Sequence, residues 1–273
     1  MGRERSGDGD RRSCLAARPR LRHASGVTFD SIRAPIEVNG PRFLYLHGFA
    51  SGPASYKGVA VAAHYEKRGV AVECLNLRLP SLEHLRLSVI IEAVRRAIGG
   101  ERDRAVLFGS SLGGLTAARV AAQDPRVCAL VLLAPAFRLA ERWRMRIGEE
   151  GFRAWEETGW LETEDYAEKR RGRVDFGFIR DALAVDAEGD GWPDVRVPTL
   201  IVHGRGDAVV DIGLSRAWAR GKRHVKLVEV DDGHELVASL DRILLEADTF
   251  LAPFLGGMPM DLELETRDLP SGP

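Results

Sequence analysis

The chain has 273 residues, 45% of them hydrophobic, and its 39 basic and 40 acidic residues leave a formal net charge of −1. That length and apolar content support one substantial core plus an insertion and exclude a chain too polar to fold. A balanced charge offers no electrostatic basis for a nucleic-acid or membrane partner. From the N-terminus, residues 1–26 are rich in arginine with Gly, Ser and Asp interspersed, which predicts a disordered basic arm. The arm has no apolar stretch of the roughly 7 to 15 residues a signal peptide requires, so Arg11 and Arg12 do not make a twin-arginine export signal. Met1, Gly2 and Ser6 fit a short myristoylation pattern only. Weak β character at 27–32 allows a further strand ahead of the core.

The core is expected from residue 27 to 137 and again from 193 to 256. Residues 43–46 form an apolar strand that runs into the loop His47, Gly48, Phe49, Ala50, Ser51, Gly52, Pro53. Residues 104–108 predict a fully buried strand, and 115–123 an alanine-rich helix stopped by Asp124 and Pro125. A buried strand follows at 127–133. Composition then turns charged and aromatic over 138–192, with helix-like patches at 140–146, 152–157 and 175–184, which predicts a small helical cap inserted into the core. Its tryptophans and Phe152 are expected to hold the cap on the main domain more than to line a pocket. Strands at 199–202 and 225–230 and helices near Gly213 and over 236–251 complete the order. Strands alternating with helices imply an α/β fold with a mostly parallel central sheet flanked by helices on both faces. The tail 257–273, acidic and rich in Pro and Gly, predicts disorder. Cys14, Cys74 and Cys128 are odd in number and lack metal-ligand spacing, so Cys74 and Cys128 are expected as small core residues in a reducing cytoplasm.

Between the strand at 104–108 and the following helix stands a GxSxG run, Gly109, Ser110, Ser111, Leu112, Gly113. A serine at a sharp strand-to-helix turn is lifted out of regular structure, and flanking glycines let neighbouring backbone pass without a Cβ. A glycine-rich turn with Ser111 as helix N-cap would explain the spacing equally. Catalysis needs more, because a hydroxyl is a poor nucleophile until a histidine takes its proton and an acid holds that histidine. His23, His64, His84 and His224 fall in the basic arm, helix-like stretches and a solvated loop. His234 follows a strand in the loop Asp231, Asp232, Gly233, His234, where such folds keep their chemistry. Asp207, in the loop after the strand at 199–202, is the candidate acid. Asp211 is expected to cap a helix, Asp231 and Asp232 to be solvated, and His203 to be structural. The backbone N–H groups of Leu112 and Phe49 are the candidate oxyanion donors, with His47 stabilising its loop.

The run Tyr45, Leu46, His47, Gly48, Phe49, Ala50, Ser51, Gly52, Pro53, Ala54, Ser55, Tyr56, Lys57, taken with Gly109 to Gly114 and with the segment around Pro80 to His84, resembles the small bacterial YqiA-like esterases of the α/β-hydrolase superfamily. The resemblance spans roughly residues 41–254. It implies an α/β-hydrolase fold and hydrolysis of carboxylic esters without cofactor or metal, with Ser111, Asp207 and His234 as triad. A small-molecule acyl ester is then the expected partner. A thioesterase would use the same residues, and a non-catalytic scaffold that binds a partner through its cap is the rival of another class. An epoxide or haloalkane hydrolase is disfavoured, since the turn carries Ser111 where those carry an aspartate. The stretch between Phe137 and Pro193 exceeds what the smallest members of that group need.

Overall fold

The computed structural model describes residues 40–187 and 191–255. The expected basic arm, the weak strand before the core and the acidic tail lie outside these residues. The strands are β1 (Arg42–Leu46), β2 (Val72–Leu75), β3 (Ala105–Ser110), β4 (Val127–Leu133), β7 (Thr199–Gly204) and β8 (Val225–Val230), joined in one sheet in the order β2-β1-β3-β4-β7-β8. Every pairing in it is parallel. β3 and β7 are buried along their whole length, whereas the edge strand β2 is half covered. That difference is why the central strands carry near-continuous apolar runs.

Alternation along each strand sorts the core into two layers. Leu44, Leu46, Leu107, Leu130, Leu132 and Ile201 face one side, under α2 (Leu87–Ile98), α3 (Leu112–Gln123) and α6 (Ile212–Ala219). Phe43, Tyr45, Val106, Phe108, Val131 and Val202 face the other, under α1 (Tyr56–Glu66) and α7 (Leu240–Leu251). α7 begins four residues later than its apolar spacing predicts, because turns at 234–235 and 238–239 occupy the chain after β8. His84 lies in a turn instead of a helix, and Cys74 and Cys128 are half-buried where full burial is expected.

The segment between β4 and β7 departs from an all-helical cap. It runs α4 (Leu139–Thr158), broken at Gly148 (φ 74°), then an antiparallel hairpin of β5 (Trp160–Asp165) and β6 (Arg170–Asp175), then α5 (Gly177–Asp186). The hairpin escapes hydrophobic pattern analysis because its alternating positions are mostly charged. Its register instead pairs Glu162 with Arg173, Glu164 with Arg171 and Asp165 with Arg170, opposite charges across the strands. Trp155 anchors the unit, its indole N–H reaching the Val174 carbonyl at 3.1 Å and its ring lying edge-on to Phe176 at 5.5 Å. Ion pairs tie it to the core: Arg78 to Asp165 and Arg86 to Asp175, each at 2.7 Å. Among the described residues no helix is long and apolar enough to cross a membrane.

Asp124, at the end of α3, accepts from the Arg126 guanidinium at 2.6 Å and from Arg95 at 3.3 Å. The Arg126 hydrogen bond, opposed by burial, pulls its carboxyl down to about 2 from an ordinary 3.8. A depressed acid stabilises the fold above its ordinary value and loses that contribution as pH falls through its folded value. Asp124→Asn is therefore expected to cost about 2 kcal/mol at neutral pH in denaturant unfolding. The gap to the unmodified protein should narrow as pH drops from about 4 towards about 2.

Candidate functional site

Parallel strands end together, and the loops after β1, β3, β7 and β8 meet at the C-terminal edge of the sheet. Ser111 stands where β3 becomes α3, with φ 52° and ψ −112°, outside helix and strand alike. Its N–H donates to the Leu133 carbonyl at 2.9 Å and its own carbonyl accepts from Ala136 N–H at 3.0 Å, so a neighbouring strand end holds the turn from both sides. Gly113 explains how tightly the turn packs: a Cβ there would lie 2.1 Å from the Leu46 carbonyl oxygen and 2.7 Å from that of His47. α3 thus starts in contact with the loop after β1. That loop is braced by His47, whose Nε2 accepts from Leu77 N–H at 3.0 Å, leaving Nδ1 to donate to the Gly48 carbonyl at 2.8 Å. Burial pushes the His47 ring down from its ordinary pKa, in keeping with a neutral bracing role.

The loops after β7 and β8 are locked to each other. Arg205 N–H donates to the Val230 carbonyl at 2.8 Å and Gly206 N–H to the Asp232 carbonyl at 3.0 Å. Gly204 permits this, since a Cβ would lie 2.3 Å from the Asp232 carbonyl oxygen. Asp207 and His234 are brought together in this way, with Asp207 Oδ2 2.7 Å from His234 Nδ1 and His234 Nε2 3.1 Å from Ser111 Oγ. A carboxylate only accepts, so Nδ1 carries the proton and the Nε2 lone pair faces the serine hydroxyl. The Asp207 side chain is fully buried. Burial alone would raise its pKa, but bonds from His203, from His234 and from the Val210 N–H outweigh it and hold the carboxyl far below the ordinary range. Such an array can activate a hydroxyl and steady an imidazolium beside it.

The competing acids are engaged elsewhere. Asp211 accepts from Gly213 N–H at 2.7 Å as a helix cap, Asp231 pairs with Arg205 at 2.5 Å, and Asp232 accepts from Ser239 N–H at 2.9 Å. His203 is buried, as a structural residue would be, but it also touches the site. Its Nε2 lies 3.0 Å from the Val210 carbonyl and 3.2 Å from Asp207, and its Nδ1 2.8 Å from Ser215 Oγ. Both Nε2 neighbours are acceptors, so Nε2 donates to them and Ser215 donates to Nδ1. Lys57, on α1, donates to the Glu235 carbonyl at 2.7 Å and so grips the residue after His234. Neither support was legible in the sequence beyond the presence of Lys57 in a motif, because both contacts join segments distant in the chain. Among the described residues neither the Phe49 N–H nor the Leu112 N–H has a protein acceptor. The Phe49 ring is held by Trp143 of α4 at 5.2 Å and by Phe178 of α5 at 5.8 Å.

Solved structures share this architecture. Alpha/beta hydrolase domain-containing protein 10 from mouse superposes with a TM-score of 0.64 at 19% identity, covering 79% of this chain and 92% of that one. Est1E from Butyrivibrio proteoclasticus with ferulic acid bound gives 0.64 at 23% identity, covering 79% and 89%. An esterase domain from Rhodothermus marinus gives 0.58 at 20%, covering 81% and 90%. The fold is that of the α/β-hydrolases. The model of a family described as Uncharacterised protein family (UPF0227) matches residues 42–250. No curated protein matches the sequence.

The contact at Gly113 gives a direct test of the turn. Gly113→Ala must push the loop after β1 away from α3, a backbone clash with no flexible side chain to absorb it. It is expected to destabilise the fold by about 1 to 3 kcal/mol. Whatever activity Ser111 supports should fall by on the order of 100-fold, read by thermal unfolding and by serine-probe labelling of the same sample.

Proposed function

The chain belongs to this uncharacterised family, UPF0227, and we propose that it is a serine hydrolase that cleaves carboxylic esters through an acyl-enzyme. The observation that carries this reading is the unbroken line Asp207, His234, Ser111, at 2.7 and 3.1 Å, with the serine held at positive φ. A helix cap needs neither the histidine nor the acid. A neighbour of the same fold described as an esterase domain agrees with it.

In the proposed reaction His234 Nε2 takes the Ser111 proton as Oγ attacks the ester carbonyl. Asp207 stabilises the imidazolium, and the Phe49 and Leu112 N–H groups receive the oxyanion. His234 then protonates the departing alcohol. Water, deprotonated by His234, attacks the acyl-Ser111 carbonyl and releases the acid, restoring the serine. Each step uses a group already oriented by the fold, so the barrier is lowered by pre-arrangement.

Treatment with a fluorophosphonate probe should add one mass to the intact protein and none to Ser111→Ala. On a reactive ester, and on its thioester counterpart assayed in parallel, Ser111→Ala is expected to lower kcat by about a million-fold and Asp207→Asn by about ten thousand-fold. A well-folded protein that takes no probe, or an Asp207→Asn variant of nearly full activity, would overturn the assignment.

A further inference from the structure

Arg142, near the start of α4, is a buried cation that the proposed chemistry does not use. The residue is 8% exposed, and its guanidinium makes one hydrogen bond among the described residues, from Nη1 to the Val209 carbonyl at 3.3 Å. Its Nε is buried with no partner there, and so is the indole N–H of the next residue, Trp143. Other well-covered arginines of the chain face carboxylates: Arg119 meets Asp186 at 2.5 Å, Arg78 meets Asp165 at 2.7 Å and Arg86 meets Asp175 at 2.7 Å. A buried cation without a counter-ion, beside a second unsatisfied donor, is costly, and such groups call for an acceptor from outside the protein.

The place of these donors says what that acceptor accompanies. Val209, which Arg142 touches, gives its own N–H to Asp207 at 2.8 Å, and the Trp143 ring meets Phe49. Arg142 and Trp143 therefore bridge the loop of the candidate acid and the loop of the candidate oxyanion donor. Arg146 adds a second positive charge, its guanidinium 5.2 Å from the Trp143 ring and that of Arg142 5.9 Å from it. Burial pushes the Arg142 guanidinium down to about 10, Arg146 acting in the same direction and Asp207 against it, so it remains charged at neutral pH. Asp207 does not serve as its ion-pair partner, being engaged by His234, His203 and the N–H groups of Val209 and Val210.

We propose that Arg142, with the Trp143 indole N–H beside it, binds a carboxylate carried by the substrate, so that the enzyme prefers acidic esters to neutral ones. A guanidinium carries a planar fork of donors that grips a carboxylate through two parallel hydrogen bonds. This rests on the serine-hydrolase reading of Ser111, Asp207 and His234.

The test compares kcat/KM for two pairs of esters. One pair is 4-nitrophenyl hydrogen glutarate and neutral 4-nitrophenyl pentanoate, which puts the charge on the acyl side. The other is 4-carboxyphenyl butyrate and phenyl butyrate, which puts it on the alcohol side. The unmodified protein is expected to favour the acid in one pair, and that pair identifies the side. In Arg142→Met the acid-to-neutral ratio should fall roughly 100-fold, and Arg142→Lys should recover part of it. A ratio unchanged in Arg142→Met, or no preference for either acid in the unmodified protein, would overturn the proposal. A merely supporting role for Arg142 under Val209 lowers both members of a pair together. Calorimetric titration of Ser111→Ala protein with monomethyl glutarate and with 4-hydroxybenzoate reads the anion site without turnover. Binding of either that is lost on adding Arg142→Met supports the site even where no ester is hydrolysed, and binding of neither counts against it.

Discussion

The site depends on backbones coming closer together than any side chain allows. α3 leaves β3 with Gly113 pressed on the Leu46 carbonyl, and the loop after β7 presses Gly204 on the Asp232 carbonyl. Each contact fixes the distance between two loops that follow different strands of the sheet. The first brings the Phe49 loop beside Ser111, and the second holds Asp207 at the height of His234. Because parallel strands deliver all these loops to one edge, two such contacts suffice to define the geometry. Positive φ at Ser111 is sustained because the Leu133 and Ala136 backbones grip it on both sides.

Around this frame the polar groups leave little freedom of protonation. Asp207 accepts four hydrogen bonds, two from backbone N–H groups and two from imidazoles. An acceptor so saturated stays ionised although burial opposes it. Its charge in turn sets the tautomer of His234, and so decides which nitrogen faces Ser111. His203 and Ser215 form an outer layer that steadies the acid, and Lys57 does the same for the backbone beyond His234. The serine is the last member of a network whose outer members are ordinary buried residues.

The segment between β4 and β7 is attached differently at its two ends. Its aromatic side, Trp143, Phe152, Trp155 and Phe176, is continuous with the core under β3 and β4. Its hairpin is polar and docks through carboxylate–guanidinium pairs and through the Tyr166 and Ala167 N–H groups, which reach the Ala50 carbonyl at 3.0 and 3.3 Å. The insertion therefore bears on the Phe49 loop from two directions, by ring packing and by hydrogen bonds. A segment joined to the Phe49 loop in this way is well placed to select what approaches Ser111 in the proposed reaction, and the charge of Arg142 would give that selection a sign.

Much of the architecture was legible in the chain because it is written in local terms. A buried parallel strand needs an unbroken apolar run, which is why β4 spans the very residues its composition indicates, whereas the half-covered edge strand β8 is marked by Val225, Leu227, Val228 and Val230 set between charged residues. The glycines around Ser111 mark a turn that excludes side chains, and a place in the loop after the strand at 199–202 made Asp207 the candidate acid ahead of acids nearer to His234 such as Asp232. Tertiary structure alone decided the rest. The hairpin of the insertion is stabilised by cross-strand charge, which leaves no hydrophobic period, so its residues pass for part of a helical segment. The contacts of His203 with Asp207, Lys57 with Glu235 and Arg142 with Val209 depend on which loops meet in space. A sequence declares how each segment prefers to fold, whereas the partners of a buried polar group are chosen only when distant segments close on it.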